Sequence, residues 1–405
     1  MKRKNTIDPL VLSLHIIFFS LFAGVFAVSC VYDFSPEGLE SETGTIVIEG
    51  DIIAGGQSNF RISTTVSFTR EEEIELITNA TVWIESETGV FIKTEPSAET
   101  EGIFVANTAN LDVTKKYQLY VDIPGRGSYR SALIPVSITP PIDSVTYHIG
   151  NDRSYVQLEV TTHSDDPENK YYKWNYNEDW EYHALEVPVL VYNIEKDIAE
   201  DIPYTESGKD FYCWNKDISS GIYVFSAEKL SNNTVYKQEL NRLYSPDKKI
   251  SYIYSLLVSQ ISLTREGYIY WETLKKNTDQ TGGIFAPQPS EMRGNIESLT
   301  RPGEPVIGFI SASTCTQKRI FLYNTDIRVY KNYETCRYDT LAHYEGNTNV
   351  WRNAALGGSK ILQYKVSESG MVIKSSAIWV PERCVNCRLA GGNKNKPDFW
   401  PNDHK

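Results

Sequence analysis

The sequence is short of methionine, with three in 405 residues, and of histidine, with six. It has no excess of basic residues: 40 lysines and arginines face 52 acids, for a formal charge of −12. That balance argues against nucleic acid, whose phosphates need a basic footprint. It argues equally against adhesion of the polypeptide to an anionic leaflet. Beyond one run near the N-terminus, no uncharged apolar stretch is long enough to cross a bilayer as a helix. Motifs of familiar chemistry are missing too. There is no HExxH, no pair of histidines at zinc-ligand spacing, no GxSxG, no Walker loop, no GxGxxG and no DxDxDG calcium loop. PGRGSYR (124–130) reads as a turn, and HSDDPENK (163–170) as a solvated hairpin loop, although its oxygens are of a type that binds Ca²⁺. The expectation is a protein that is not an enzyme and carries no metal or cofactor.

What is present starts with a leader. Lys2, Arg3 and Lys4 form a basic head, Leu10–Val28 is uncharged, and Ala27, Val28 and Ser29 lead small-sided into Cys30. Basic head, apolar run and small residues describe a secretory signal. A cysteine just after it is where a bacterial lipoprotein is cut and acylated. Cys30 is therefore read as the first residue of the mature chain and its lipid anchor. Each buried CH₂ of an acyl chain contributes about 0.8 kcal/mol to holding a soluble domain at a membrane. Residues 1–29 carry three cations and one acid, so the mature protein stands at −14.

Five cysteines follow: Cys213, Cys315, Cys336, Cys384 and Cys387. Outside the cytoplasm disulfides are expected, and an odd count leaves one thiol over. The candidates are Cys213, Cys336, Cys384 and Cys387. Cys384 and Cys387 are expected to pair outward, one of them with Cys336, which would staple the C-terminal tail to the body. A CxxC can be a redox centre at a helix N-terminus, but Pro381 before CVNC and Leu-Ala-Gly-Gly after it favour structural bonds.

The organisation reads as mainly β. Residues 1–29 are the signal and 30–44 a polar tether. Over 45–137, TIVIEGDI, NFRISTTV, ATVWIES, GVFIKT, GIFVAN, KKYQLYVDI and SYRSALIPV are short alternating runs between turn signals. They predict an antiparallel β-sandwich, Ig-like or transthyretin-like, with each sheet buried on one face and wet on the other. ITPPIDSV (138–145) stiffens a joint. A larger β-rich domain over 142–405 follows, with one short helix at 264–278 capped by Thr264 and ended by TGG.

Two places draw attention as candidate ligand sites. YYKWNYNEDWEY (171–182) alternates so that Tyr172, Trp174, Tyr176, Trp180 and Tyr182 share one face. Such a face is either the core side of a half-buried strand or, if exposed, a ligand platform through Trp174, Trp180 and Tyr182. The loop 282–298, rich in Gly and Pro, offers Glu291, Arg293 and Asn295; order alone also explains its composition. Asp143-Ser144-Val145 and Asp339-Thr340-Leu341 match the short Asp-Ser/Thr-aliphatic pattern of bacterial O-glycosylation, making Ser144 and Thr340 candidate sites.

Taken together, several segments resemble the Bacteroidota lipoproteins grouped as domain of unknown function 4249. They are the cysteine followed by IVIEGDI, the PPIDSV junction, FYCW around Cys213, the run WETLKKNTDQTGGIFAPQPSEMRGNIES into EPVIGFISASTCTQKRIF, and the terminal CVNCRLAGGNKNKPDFWP. Cys315 departs from the Ser or Val expected at its place. The resemblance implies an outer-membrane or surface lipoprotein, of a kind often encoded beside TonB-dependent receptors. The expected function is a non-enzymatic accessory of TonB-dependent nutrient uptake. The alternative is a stand-alone surface binding or adhesion module for glycan or peptide. A hydrolase using carboxylates from distant loops is a third reading.

Overall fold

The computed structural model describes residues 44–66, 74–203, 205–206, 208–230, 232–280, 294–332, 335–343 and 349–402. The chain divides into two units, 1–44 with 66–73, and 45–65 with 74–405. The first lies almost wholly outside the described residues, and the strands and helices all belong to the second.

Its first strands are β1 (Ile46–Ala54), β2 (Gln57–Thr64), β3 (Thr81–Ser86), β4 (Phe91–Lys93), β5 (Glu95–Pro96), β6 (Ile103–Asn107), β7 (Lys116–Ile123), β8 (Gly127–Ser131) and β9 (Ile134–Pro135). Next come β10 (Ile142–Ile149), β11 (Tyr155–His163), β12 (Tyr171–His183), β13 (Leu190–Asn193), β14 (Ile198–Asp201), β15 (Tyr212–Ile218), β16 (Tyr223–Ser226), β17 (Thr234–Tyr244) and β18 (Ile253–Ser262). Helix α1 (Arg265–Gln280) is followed by β19 (Ile296–Ser298), β20 (Val306–Ile307), β21 (Ser311–Tyr323) and the single turn α2 (Asn324–Ile327). The chain closes with β22 (Asp339–Ala342), α3 (Asn349–Leu356), β23 (Ser359–Val366), β24 (Val372–Pro381) and two 3₁₀ turns at Glu382–Cys384 and Cys387–Ala390. No helix among the described residues is long and apolar enough to cross a membrane.

Alternation builds the first sandwich as expected. Ile46, Ile48, Ile52, Phe60, Ile62 and Phe104 point from one sheet at Val82, Ile84, Leu119, Val121 and Tyr129 of the other. The second core sets Val156, Leu158, Val160, Leu240 and Leu243 of the sheet β10–β11–β17 against Tyr172, Trp174, Tyr176, Tyr254 and Leu256. Fully burying one such side chain contributes about 1.5–3 kcal/mol.

One strand joins the two sandwiches. The start of β21 runs parallel to β1, Asp51 opposite Ser311, and the rest runs antiparallel to β18, from Cys315 to Tyr323. A single ten-stranded sheet thereby serves both cores. Residues 296–314 thus complete the N-terminal sandwich, which the boundary at 137 leaves open. The Pro140–Pro141 junction is pinned across this seam. Pro140 accepts at 2.9 Å from both Gln260 and Thr316, and Pro141 accepts at 3.1 Å from Thr162.

Two expectations are corrected. The described residues form three α-helices, not one: α1 forms where predicted, with Thr264 Oγ1 accepting from Gly267 N–H at 3.2 Å, and α2 and α3 are additional. Strand β12 is buried along its even face and towards both ends of its odd face, with Asn175 and Asn177 exposed between. Its even side enters the second core, while Lys173, Asp179 and Glu181 on the odd side are also buried. Lys173 lies under α1, 2.7 Å from Asp51 and 4.1 Å over the Trp271 ring. Asp179 meets Arg319 at 3.2 Å, and Glu181 accepts from Trp400 at 3.0 Å and contacts His183 at 2.6 Å. Helix α1 covers the Lys173 end, and the C-terminal tail, through Phe399 and Trp400, covers the Asp179–Glu181 end.

Candidate functional site

The third core is a small module in which β22, β24 and β23 form a sheet with α3 and the β13–β14 hairpin beside it. The hairpin forms for local reasons. Asn193 Oδ1 accepts from the Glu195 and Lys196 N–H groups at 3.1 Å, and Asp197 takes a left-handed φ of 57°, a conformation Asp tolerates through local hydrogen bonding. Tyr192 donates to Asp197, and its ring stands edge-on to Trp351 and Trp379 with centroids 6.1 and 5.5 Å away. Burial, then the Asp197 contact, push the Tyr192 hydroxyl up to about 12. Arg352 of α3 ties the turn down by donating to the Ile194 carbonyl at 2.7 Å.

Between this hairpin, the chain near Phe211 and the module lies a cleft of ≈ 470 Å³. Its floor is Leu190, Ile361 and Trp379, all nearly fully buried, with Val385 beside them. Its rim is charged but paired: Asp210 with Arg388 at 3.2 Å, Glu382 with Lys360 at 3.5 Å and Glu206 with Lys209 at 3.1 Å. Glu186 accepts from Tyr338, a bond that raises the Tyr338 hydroxyl above its ordinary value. Exposed pairs of this kind contribute only about 0–1 kcal/mol each, so an incoming group can displace them cheaply. Trp379 has its indole N–H buried with no partner among the described residues. An ordered water or a ligand acceptor at the floor would satisfy that donor.

The walls are held by covalent bonds and main-chain bonds together. Cys213 bonds Cys387 and Cys336 bonds Cys384, with Cα separations of 5.8 and 6.1 Å. Leu185 and Glu186 N–H groups both donate to the Cys384 carbonyl, Cys387 N–H to Asp210, and Val189 N–H to Leu362, each at 2.9 Å. Both CVNC cysteines thus pair outward, one of them with Cys336, as expected from the sequence. Cys315 is the free thiol among the described residues, half-buried, and burial raises its pKa. An apolar floor, a few hydrogen-bonding groups and this volume fit the retention of a small ligand.

A family profile covers residues 31–319 and carries the description Domain of unknown function (DUF4249). The chain belongs to that family. The DUF4249 span takes in the first sandwich, most of the second and the hairpin wall of the cleft, while the wall built from 355–388 lies beyond it. None of the curated proteins compared with it matches the chain. A two-domain fibronectin type-III segment of chicken tenascin is similar at 10% identity, over 54% of this chain and 91% of that one, with a TM-score of 0.15. At that score the likeness adds nothing to the fold, which rests on the sheets themselves.

The candidate residues named from the sequence do not gather at the cleft. Trp174 is completely buried and donates to Gln260 at 2.7 Å, so it belongs to the core and not to a ligand face. Tyr182 is buried beneath Lys248, 5.4 Å from its ring, and Trp180 is half-covered by Lys249 at 5.0 Å. Trp174 and Trp180 help fill the space above β10–β11–β17, while Tyr182 packs on Cys213 and Cys387. Asn295 is structural as well; its amide mimics strand pairing, exchanging 2.8 Å bonds with both the N–H and the carbonyl of Ile310. Glu291, Arg293 and Cys30 lie outside the described residues. Thr340 is exposed on β22 and Ser144 half-buried on β10. The 163–170 loop binds itself, Asp166 Oδ1 accepting from Glu168 N–H at 2.9 Å. No group of three or more metal-ligating side chains stands together among the described residues.

One polar centre was missed. Glu178 is buried in the aromatic row and accepts from Tyr254 and Lys249, both at 2.6 Å. Lys249 also reaches Asp217 at 3.0 Å and holds its carboxyl below the usual range. The signal for it was in the sequence: Glu178 is the one acid among the aromatics at even positions of 172–182.

Proposed function

We propose that this DUF4249 protein is an extracytoplasmic lipoprotein of a Bacteroidota cell, anchored in the outer membrane through Cys30. It holds a ligand in the cleft, without catalysis, as an accessory of TonB-dependent uptake. The observation that carries this reading is the pair of disulfides at the cleft wall. Such bonds are characteristic of oxidising compartments and rare in the cytosol, and they fix the walls before a ligand arrives, which lowers the ordering cost of binding. The leader ending at Cys30 supports export and lipidation. The link to a TonB-dependent transporter rests on the family resemblance.

The anchoring is tested by feeding cells an alkyne-tagged fatty acid and comparing the protein with its Cys30→Ser variant. The wild type takes the label and sediments with membranes; the variant loses both properties. A Cys30→Ser protein that stays with the membrane contradicts the reading. For the cleft, Val191→Arg places a charge on its lining at an exposed position, and uptake of the transporter's cargo should fall while the protein remains folded.

A further inference from the structure

On the sheet β10–β11–β17 the even residues of β11 (Val156, Leu158, Val160 and Thr162) close the second core. The odd residues Tyr155, Gln157, Glu159 and Thr161 therefore stand on the outer face. Register sets Tyr155 opposite Tyr244, Gln157 opposite Arg242, and Glu159 between Thr146 and Glu239. Two carboxylates directly opposite is a pairing that sheets avoid, since like charges there repel. Here the row is organised by hydrogen bonds. Arg242 donates to Gln157 at 2.6 Å and to Glu239 at 2.9 Å, and its guanidinium lies 4.8 Å from the Tyr155 ring centroid. Gln157 in turn donates to Glu159 Oε1 at 2.9 Å.

Three buried polar atoms on this one face have no hydrogen-bond partner among the described residues: Thr146 Oγ1, Glu159 Oε2 and Arg242 Nε. Glu159 is only 6% exposed although it sits on an outer face, and Lys237, its nearest cation, stands 3.9 Å from Oε2, too far for a hydrogen bond. Orphans of this kind call for an occupant. Beside them Tyr244 is 65% exposed, its ring 6.4 Å from that of Tyr155 and tilted by 59°. The charges cancel, Glu159 and Glu239 against Lys237 and Arg242, so the face selects neither anions nor cations.

We propose that this face binds a neutral carbohydrate. A sugar ring presents an apolar C–H face that stacks on tyrosine and hydroxyls that both donate and accept. Tyr244 and Tyr155 provide the stacking surface. Glu159, Gln157 and Thr146 take up the hydroxyls as Lys237 moves aside. The site is separate from the cleft and does not depend on it.

The test uses the full-length protein in a detergent without a sugar headgroup, with cellohexaose, maltohexaose, xylohexaose and mannohexaose as probes and hexagalacturonate as the acidic control. Calorimetry with each probe up to about 10 mM detects a Kd of about 1 mM. At least one neutral hexasaccharide binds, and Tyr244→Ala or Glu159→Gln weakens it by about tenfold or more, the scale of one lost buried contact. Tyr244 is exposed, so its alanine variant folds and keeps the test valid if Glu159→Gln does not. The proposal is overturned if no neutral probe binds, if hexagalacturonate binds as tightly, or if Tyr244→Ala leaves the affinity unchanged.

Discussion

Replacing Cys213 and Cys387 together by serine tests how the cleft is held. The bond spans 174 residues of sequence, and Cys336–Cys384 spans 48 within it. With the inner bond intact the chain has a shorter path, 123 residues from Cys213 to Cys336 and 3 from Cys384 to Cys387. The loop released is therefore about 127 residues, for which chain entropy gives about 5 kcal/mol; measured losses usually fall at about 2–4 kcal/mol. A loss of about 3 kcal/mol is expected. It should also be local, because Trp351 and Trp379 belong to a core of their own, and one ΔG then no longer describes the chain. Urea unfolding without reductant, followed by tryptophan fluorescence and by proteolysis near residue 335, separates the module from the sandwiches. The wild type should unfold late and together, and the variant should release the C-terminal module first. An unchanged midpoint and slope would refute the argument that these bonds fix the cleft.

Three other outcomes are expected. With Cys30 acylated, Ellman's reagent in denaturant without reductant should find one thiol per chain, Cys315, and find it slow to react in the native state because burial raises its pKa. His163 should titrate above its ordinary value, since the Asp143 carboxylate 2.8 Å away holds the ring protonated. That contribution to stability is present in full below the unfolded pKa of about 6.5. It is lost as pH rises through the raised folded value, and histidine NMR of Asp143→Asn should show most of the shift removed. Trp400→Ala removes a buried ring and leaves Glu181 short of a donor, so a loss of about 3–5 kcal/mol is expected in urea titrations; a change under about 1 kcal/mol would show the tail to be a passive cover.

Period-2 patterns were enough to read the first sandwich and the helix after Thr264, because those signals are local. They were not enough for β21. Nothing within SASTCTQKRIFLY says that its first residues pair with β1, some 260 positions earlier, while the rest pair with β18. The same limit produced the error on β12. Alternation predicts one wet face, yet a helix and a C-terminal tail from distant sequence cover the two ends of the second face, and its charges find partners there. Helix α3 was hidden because NVWRNAAL is too short for a clear 3.6-residue stripe. The cleft was illegible for the same reason: its two walls are joined by Cys213–Cys387, and sequence spacing does not give a connectivity. The acid that did break pattern, Glu178 among aromatics, marks the buried polar centre; Glu159 keeps the alternation of β11, and only the pairing with β17 sets it opposite another acid.

The most direct test of the proposed function is a pull-down of the C-terminally tagged protein from outer membranes in mild detergent, read by mass spectrometry. An accessory of uptake should bring down a TonB-dependent transporter at near-stoichiometric yield, retained in the cleft variant and lost with Cys30→Ser. A lipoprotein that repeatedly comes down alone would contradict that role and leave a binding module that works by itself.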